Sequence, residues 1–269
     1  MGKGDRMNAL CNLILLAVLQ GISEFLPISS SGHLVICKHL LDVHAPGESL
    51  EVVLHVGTMV SIVAYYRKTI WQLLCGFFRW DRAAVLQVLY IALSAIPAVF
   101  FYFLCKDKID AFYENARSVG GFLIFTGVVL TLLRWIPRGQ GHLNAGRAVL
   151  VGIAQAIAIL PGVSRSGMTI AAARMSGVSP DHSAEFSFLM CLPLLAGGAL
   201  LTLLGHTGGS SGEALSETYP VWMLAVAMAI SAIVGYIALS LLVRLLRGGR
   251  FWLFGVYCLI VGLLVCFTL

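Results

Sequence analysis

Residues 161–169 read P-G-V-S-R-S-G-M-T and sit inside one of the most apolar stretches of the chain. An arginine (Arg165), three hydroxyls (Ser164, Ser166, Thr169) and two glycines (Gly162, Gly167) need a polar partner in such surroundings. An arginine at the centre of a bilayer costs about 2.5–3.5 kcal/mol on insertion scales. A forked guanidinium, hydroxyl donors and the N–H groups that open a helix make a cradle for an anion, phosphate above all. The two glycines let the backbone turn sharply and approach a ligand closely. A second cluster precedes it: residues 27–33 read P-I-S-S-S-G-H, with Gln20 and Glu24 just upstream. Glu24 and Arg165 are both charged groups in apolar sequence, and buried charges pair. Gln20 and Glu24 are four residues apart and share a helix face. Their oxygens suit a divalent cation such as Mg²⁺ or Ca²⁺, or else form a polar stripe bonded to neighbouring helices. Ser30 is the candidate nucleophile, with His33 as its base or as acid for the leaving group. Ser29 and Ser31 are rivals that spacing does not rank, and with Gly32 they complete the expected ligand-binding loop. His55 and Glu185 fall on expected spans, where packing or supporting roles are the simpler reading.

The two clusters are copies of one theme. A shift of 135 residues, half the chain, aligns them without a gap. Leu15, Gln20, Ile22, Ser29, Ser31 and Gly32 then fall on Leu150, Gln155, Ile157, Ser164, Ser166 and Gly167. Two like polar loops in an apolar chain predict one composite site.

The elements that must position these loops are membrane helices. Of 269 residues 59% are hydrophobic and only 12% are charged, against about a quarter charged in a soluble domain. Long apolar runs make the chain helical rather than a barrel. Six runs, 49–66, 83–104, 118–136, 182–204, 220–246 and 251–268, approach the ~20 residues needed to cross ~30 Å of hydrocarbon. Residues 8–42 and 145–178 are interrupted by the polar loops. Their limbs, about 12–17 residues each, are too short to cross alone and predict re-entrant helical hairpins. The expectation is an all-α polytopic membrane protein of one domain, six transmembrane helices plus two re-entrant hairpins. Its repeats cover roughly 8–136 and 145–268. An odd number of crossings per half inverts the second half, which brings matching broken helices together near the midplane.

Charge assigns the sides. Arg67, Lys68, Arg79 and Arg82, then Arg134, Arg138 and Arg147, then Arg244, Arg247 and Arg250 dominate alternate loops, which the positive-inside rule places in the cytoplasm. Lys3 and Arg6, on the outer side in this scheme, run against the rule. The net charge of +5 is thereby explained by topology, and nucleic-acid binding is excluded. The tryptophans at 71, 80, 135, 222 and 252 lie near expected membrane edges. Seven cysteines form no C-x-x-C pair and read as small buried hydrophobes. The N-terminal apolar run lacks a small-residue cleavage site and reads as retained.

Gln20-Gly-Ile-Ser-Glu24-Phe-Leu-Pro27-Ile-Ser29-Ser30-Ser31-Gly32-His33 together with the 161–169 loop resembles the undecaprenyl-diphosphate phosphatase family of the bacitracin-resistance type. The stretch Ala184-Glu185-Phe186-Ser187-Phe188-Leu189 is similar as well, and the resemblance covers nearly the whole chain. Gln20 takes the amide variant of the first motif position, which weakens a two-acid metal site. The resemblance implies hydrolysis of a polyprenyl diphosphate, mainly the C55 lipid, to the monophosphate and inorganic phosphate. It implies a divalent cation, a multi-pass location in the bacterial inner membrane, a periplasm-facing site, and catalytic importance for Glu24, Ser30, His33 and Arg165. The competing class is a transporter or lipid flippase, since inverted repeats with broken helices suit alternating access.

Overall fold

The computed structural model describes residues 3–41, 49–113, 115–203 and 219–268. Helices α1 (Lys3–Phe25) and α2 (Ser30–Leu41) form the first hairpin, followed by α3 (Ser49–Tyr65), α4 (Arg67–Phe78), α5 (Arg82–Tyr113) and α6 (Ala116–Leu132). The second half holds α7 (Ala145–Ile157), α8 (Arg165–Met175), α9 (Pro180–Leu203), α10 (Val221–Arg247) and α11 (Leu253–Thr268). Among the described residues five helices are long and apolar enough to cross a membrane. The chain is a multi-pass all-α membrane protein. Large apolar side chains face outward, with Phe100 68% and Phe103 75% exposed on α5, as a helix against lipid requires. Polar side chains such as Gln20, Thr58, Thr126, Gln155 and Ser231 are buried instead.

Local sequence sets the helix ends. Asn115 and Asn144 cap α6 and α7, accepting from the N–H groups of Arg117 and Arg147 at 3.0 Å each. Ser164 caps α8 by accepting from the Gly167 N–H at 3.1 Å. Ser29 does the same for α2, accepting from Gly32 at 3.3 Å. Pro27 stands just past the end of α1, where it cannot continue the helix. Serines stitch α3 to α10: Ser61 Oγ donates to the Ala232 carbonyl at 2.7 Å and Ser231 Oγ to the Leu54 carbonyl at 3.0 Å. Such bonds matter where no water competes.

The 135-residue correspondence recurs in the packing of several described elements. α2 starts at Ser30 and α8 at Arg165. α6 and α11, which are counterparts, pack closely through glycines. A Cβ on Gly120 would lie 3.0 Å from the Gly262 carbonyl, and one on Gly255 2.7 Å from the Gly127 carbonyl. Gly120 and Gly127 correspond to Gly255 and Gly262, so the two approaches are the same contact made twice. Residue 120 meets 262 while 127 meets 255, so α6 and α11 run antiparallel.

Several boundaries differ from the sequence expectation. The first limb of the N-terminal hairpin is 23 residues long, not 12–17, because α1 begins at Lys3. The limbs α2, α7 and α8 hold 12, 13 and 11 residues, close to the expected lengths. The basic segment after α3 forms a helix of its own, α4, with no buried residue and with Trp71, Phe78 and Trp80 exposed at or just beyond it. α5 continues past its apolar run to Tyr113, through much of what charge marks as a loop. The cysteines among the described residues are all free.

Candidate active site

The loops at the tips of the two hairpins touch. A Cβ on Gly32 would fall 3.1 Å from the Gly162 Cα, and one on Gly167 3.2 Å from the Pro27 Cβ. These contacts are again counterparts, since the shift carries Gly32 to Gly167 and Pro27 to Gly162. Thr126 on α6 locks the second loop: its hydroxyl donates to the Gly162 carbonyl at 3.1 Å and accepts from the Ser164 N–H at 3.2 Å. The left-handed turns differ, however. In the second loop Gly162 takes φ +97°, a conformation open to glycine; in the first, Ser29 takes φ +68°, which is strained for a residue with a Cβ.

The expected ion pair is present. The Arg165 guanidinium bonds Glu24 Oε1 across the two hairpins, with only 3% of the Glu24 side chain and 25% of the Arg165 side chain exposed. Three groups converge on the other oxygen, Oε2: the Ser30 hydroxyl donates at 2.6 Å, the Gln20 amide N–H at 3.0 Å, and His55 Nε2 lies at 3.4 Å. Ser30 is thus the serine that the fold distinguishes. Ser29 is occupied as helix cap, and its hydroxyl lies 3.3 Å from that of Ser31. Ser164 and Ser166 stand in the same relation, also at 3.3 Å. Thr169 faces the other way, its hydroxyl 2.6 Å from that of Ser187 and donating to the Arg165 carbonyl at 2.7 Å.

A cavity of about 220 Å³ opens on these groups, lined by Glu24, Ser29, Ser30, Ser31, Ser164 and Arg165, and also by Glu51 and His55. The Arg165 guanidinium and the serine hydroxyls offer donors suited to a phosphate, beside the Glu24 and Glu51 carboxylates. The two histidines are built alike but face different places. In each, Nδ1 lies near the backbone carbonyl four residues earlier, Ser29 for His33 at 2.9 Å and Glu51 for His55 at 2.7 Å. A carbonyl can only accept, so each Nδ1 carries the proton. Nε2 of His33 is then closed off by the Tyr257 hydroxyl at 2.8 Å, over a stacked ring pair. Nε2 of His55 faces Glu24 at the cavity. Ser30 and His33, paired by sequence spacing, are therefore not brought together: Ser30 donates to Glu24, and His33 is buried against Tyr257.

Gln20 and Glu24 meet as a helix face predicts, but the Gln20 amide gives its nitrogen to the carboxylate and does not line the cavity. The carboxylates that do line it are those of Glu24 and Glu51, oxygen ligands of the kind a divalent cation shared with phosphate takes. Glu185, the 134-residue echo of Glu51, does not line the cavity. Sequence reasoning missed the cavity role of Glu51 and His55 and the Tyr257 partner. A polar Glu51–His55 pair at i, i+4 on an otherwise apolar helix was the available signal for the first two; nothing local marks Tyr257.

The bacitracin resistance protein BacA family model matches residues 13–264. The chain belongs to the BacA family. Relatives named undecaprenyl-diphosphatase include one from Rhodopirellula baltica, 40% identical over 263 residues covering 96% of this chain and 98% of that protein. Another, from Syntrophotalea carbinolica, is 38% identical and covers 93% of this chain and 95% of that one. A Bacillus cereus protein named undecaprenyl-diphosphatase 1 is 33% identical over 260 residues, 93% of this chain and 94% of its own length. The family model and these relatives span both hairpins.

Proposed function

We propose that this protein hydrolyses undecaprenyl diphosphate to undecaprenyl phosphate and inorganic phosphate, recycling the carrier lipid for cell-wall synthesis. The observation that carries the reading is the Arg165–Glu24 pair joining two hairpin tips over a serine-lined cavity inside a membrane protein. Its membership of the BacA family and the names of its relatives supply the substrate.

In this mechanism the terminal phosphate enters the cavity and takes over the Arg165 guanidinium. Glu24, released from that cation, becomes the stronger base for the Ser30 proton already directed at it. Ser30 Oγ forms a bond to the terminal phosphorus as the bond to the bridging oxygen breaks, and the lipid monophosphate leaves. Water then attacks the phosphoserine, freeing phosphate and returning the proton to Ser30. The strained φ of Ser29 helps to hold the neighbouring Ser30 toward Glu24. His55 stands beside the carboxylate at Oε2, and His33 fixes the loop through Ser29 and Tyr257. A divalent cation held by Glu24 and Glu51 would neutralise phosphate charge. Positioning and charge neutralisation carry most of the acceleration.

The two halves are read as an inverted repeat, supported by the antiparallel packing of counterparts α6 and α11. The first hairpin then enters from the periplasmic side of the inner membrane and the second from the cytoplasmic side. Contacts among the basic loops support a common end: Arg247 pairs with Asp181 at 2.6 Å, and the Arg134 guanidinium lies 4.8 Å over Trp252.

The test is phosphate release from the C55 diphosphate by purified protein in detergent, with and without a chelator. Release that the chelator suppresses and Mg²⁺ or Ca²⁺ restores is expected. Absence of release with either cation would overturn the hydrolase, and with no second compartment present a transporter would give that result. Release indifferent to chelator would remove the cation alone.

A further inference from the structure

Gln155 is the second-half counterpart of Gln20, yet it lies in a different situation. Gln20 donates to Glu24 four residues on. The residue four positions after Gln155 is Ile159, so the carboxylate partner is missing from this copy. Gln155 is 2% exposed, and neither its amide nitrogen nor its amide oxygen has a hydrogen-bond partner. An unpaired buried amide is a standing destabilisation unless a ligand completes it.

Gln155 lines a second cavity, about 640 Å³ and largely apolar, between α5 and α9, although its amide atoms carry almost no open surface and reach the cavity only when the side chain turns. Val99, Tyr102 and Phe103 form one wall and Pro193, Leu194 and Leu201 another. This groove adjoins the polar cavity, since Ala158, Ile159 and Arg165 line both. A prenyl diphosphate has the matching sequence of parts: a terminal phosphate, a retained phosphate, then a hydrocarbon chain. With the terminal phosphate among Glu24, Ser30 and Arg165, the chain continues into the groove. The retained phosphate then falls at the junction, beside Arg165 and Gln155.

Resting on the proposed hydrolase reading, we infer that the Gln155 amide N–H binds the prenyl-linked phosphate, the one kept by the product, while the groove takes the first isoprene units. Gln155 is in this account the residue that separates the phosphate to be kept from the phosphate to be released. The product, a prenyl monophosphate, carries the whole of the recognised group.

The probe is farnesyl monophosphate, its binding to the purified protein measured by calorimetry in detergent for wild type, Gln155→Met and Gln155→Glu. Loss of a hydrogen bond to a charged group predicts about tenfold weaker binding for Gln155→Met, and a larger loss for Gln155→Glu, whose charge opposes the phosphate. Inorganic phosphate, which needs only the polar cavity, should inhibit the Gln155→Met variant as it inhibits wild type. Because the amide is unpaired without ligand, Gln155→Met should unfold at a temperature no lower than wild type. Unchanged farnesyl monophosphate affinity in both variants, equal weakening toward inorganic phosphate, or a melting temperature lowered by Gln155→Met would each overturn the assignment. Phosphate release by wild type from the C55 diphosphate is measured alongside. If release is absent while monophosphate binding still depends on Gln155, the hydrolase falls and the binding site stands. If release is normal and binding ignores Gln155, only this inference falls.

Discussion

The two hairpin tips are the same device carrying different chemistry. Both open a short helix with a serine cap, Ser29 or Ser164, that accepts from a glycine three residues on, Gly32 or Gly167. Both bring that glycine against the other loop. At and around these positions the copies part: Glu24 aligns with Ile159, Ser30 with Arg165 and His33 with Met168 across the 135-residue shift. The first copy supplies the carboxylate and the hydroxyl, and the second supplies the guanidinium and the apolar wall. The difference shows that the packing frame and the chemistry are separable. A frame repeated twice can host one site only because its two copies are unlike.

The sharpest way to break this comparison is at Arg165, where the site depends wholly on the second copy. Arg165→Ala should lower phosphate release by about 10³-fold, and Arg165→Lys should recover little of it because the fork is lost. Alanine also leaves Glu24 buried without its cation, so the melting temperature should fall. Adding Glu24→Gln should restore stability and not turnover. A double variant as active as wild type would show that the pair is structural only.

Next in size is the contrast between equivalent hydroxyls. Ser30→Ala should reduce phosphate release by at least about 100-fold, and wild-type enzyme quenched during turnover should carry a phosphoserine. Ser164→Ala, in the cap that mirrors Ser29, should lower stability by about 1 kcal/mol with turnover kept within about tenfold of wild type. Comparable activity losses in the two, measured against their melting temperatures, would erase the distinction between frame and chemistry.

The frame itself is tested at the glycines. Gly127→Val inserts side-chain atoms where a Cβ would already lie 2.8 Å from the Gly255 carbonyl, and destabilisation of about 1–3 kcal/mol is expected from overpacking. Its counterpart Gly262→Val should produce a similar shift in thermal unfolding. The smallest effect belongs to a contact outside the repeat frame, the Arg247–Asp181 pair, whose side chains are 62% and 58% exposed. Asp181→Asn should change stability by less than about 1 kcal/mol.

Much of the architecture was legible because bilayer thickness and hydropathy act over long windows. The six expected spans all appear as helices, four of them of crossing length while α3 and α11 are shorter. α1, expected as a hairpin limb, is long enough to cross, and the polar loops fall where the expected hairpins bend. The Arg165–Glu24 pair was legible because a membrane leaves a buried charge few options. Lengths at the edges were not: Lys3 and Arg6 read as a tail, yet α1 begins at Lys3, since an apolar run ending does not oblige a helix to end. α4 was hidden among loop charges because a surface helix buries nothing. The rotation of one helix against another was the main loss. Spacing along the chain pairs Ser30 with His33, but only packing determines that His33 turns toward Tyr257, 224 residues away, while His55 turns toward Glu24.

The glycine seam between α6 and α11 has a consequence for how the molecule can be taken apart. Its contact surfaces are each other's copies, so each half carries both the knob and the socket for joining the other. Residues 136–144, between the halves, include no helix, and a break there leaves every element whole. Two separately inserted fragments would therefore carry what they need to reassemble along that seam, and phosphate release, requiring Glu24 from one and Arg165 from the other, would report only on pieces that had found a mate.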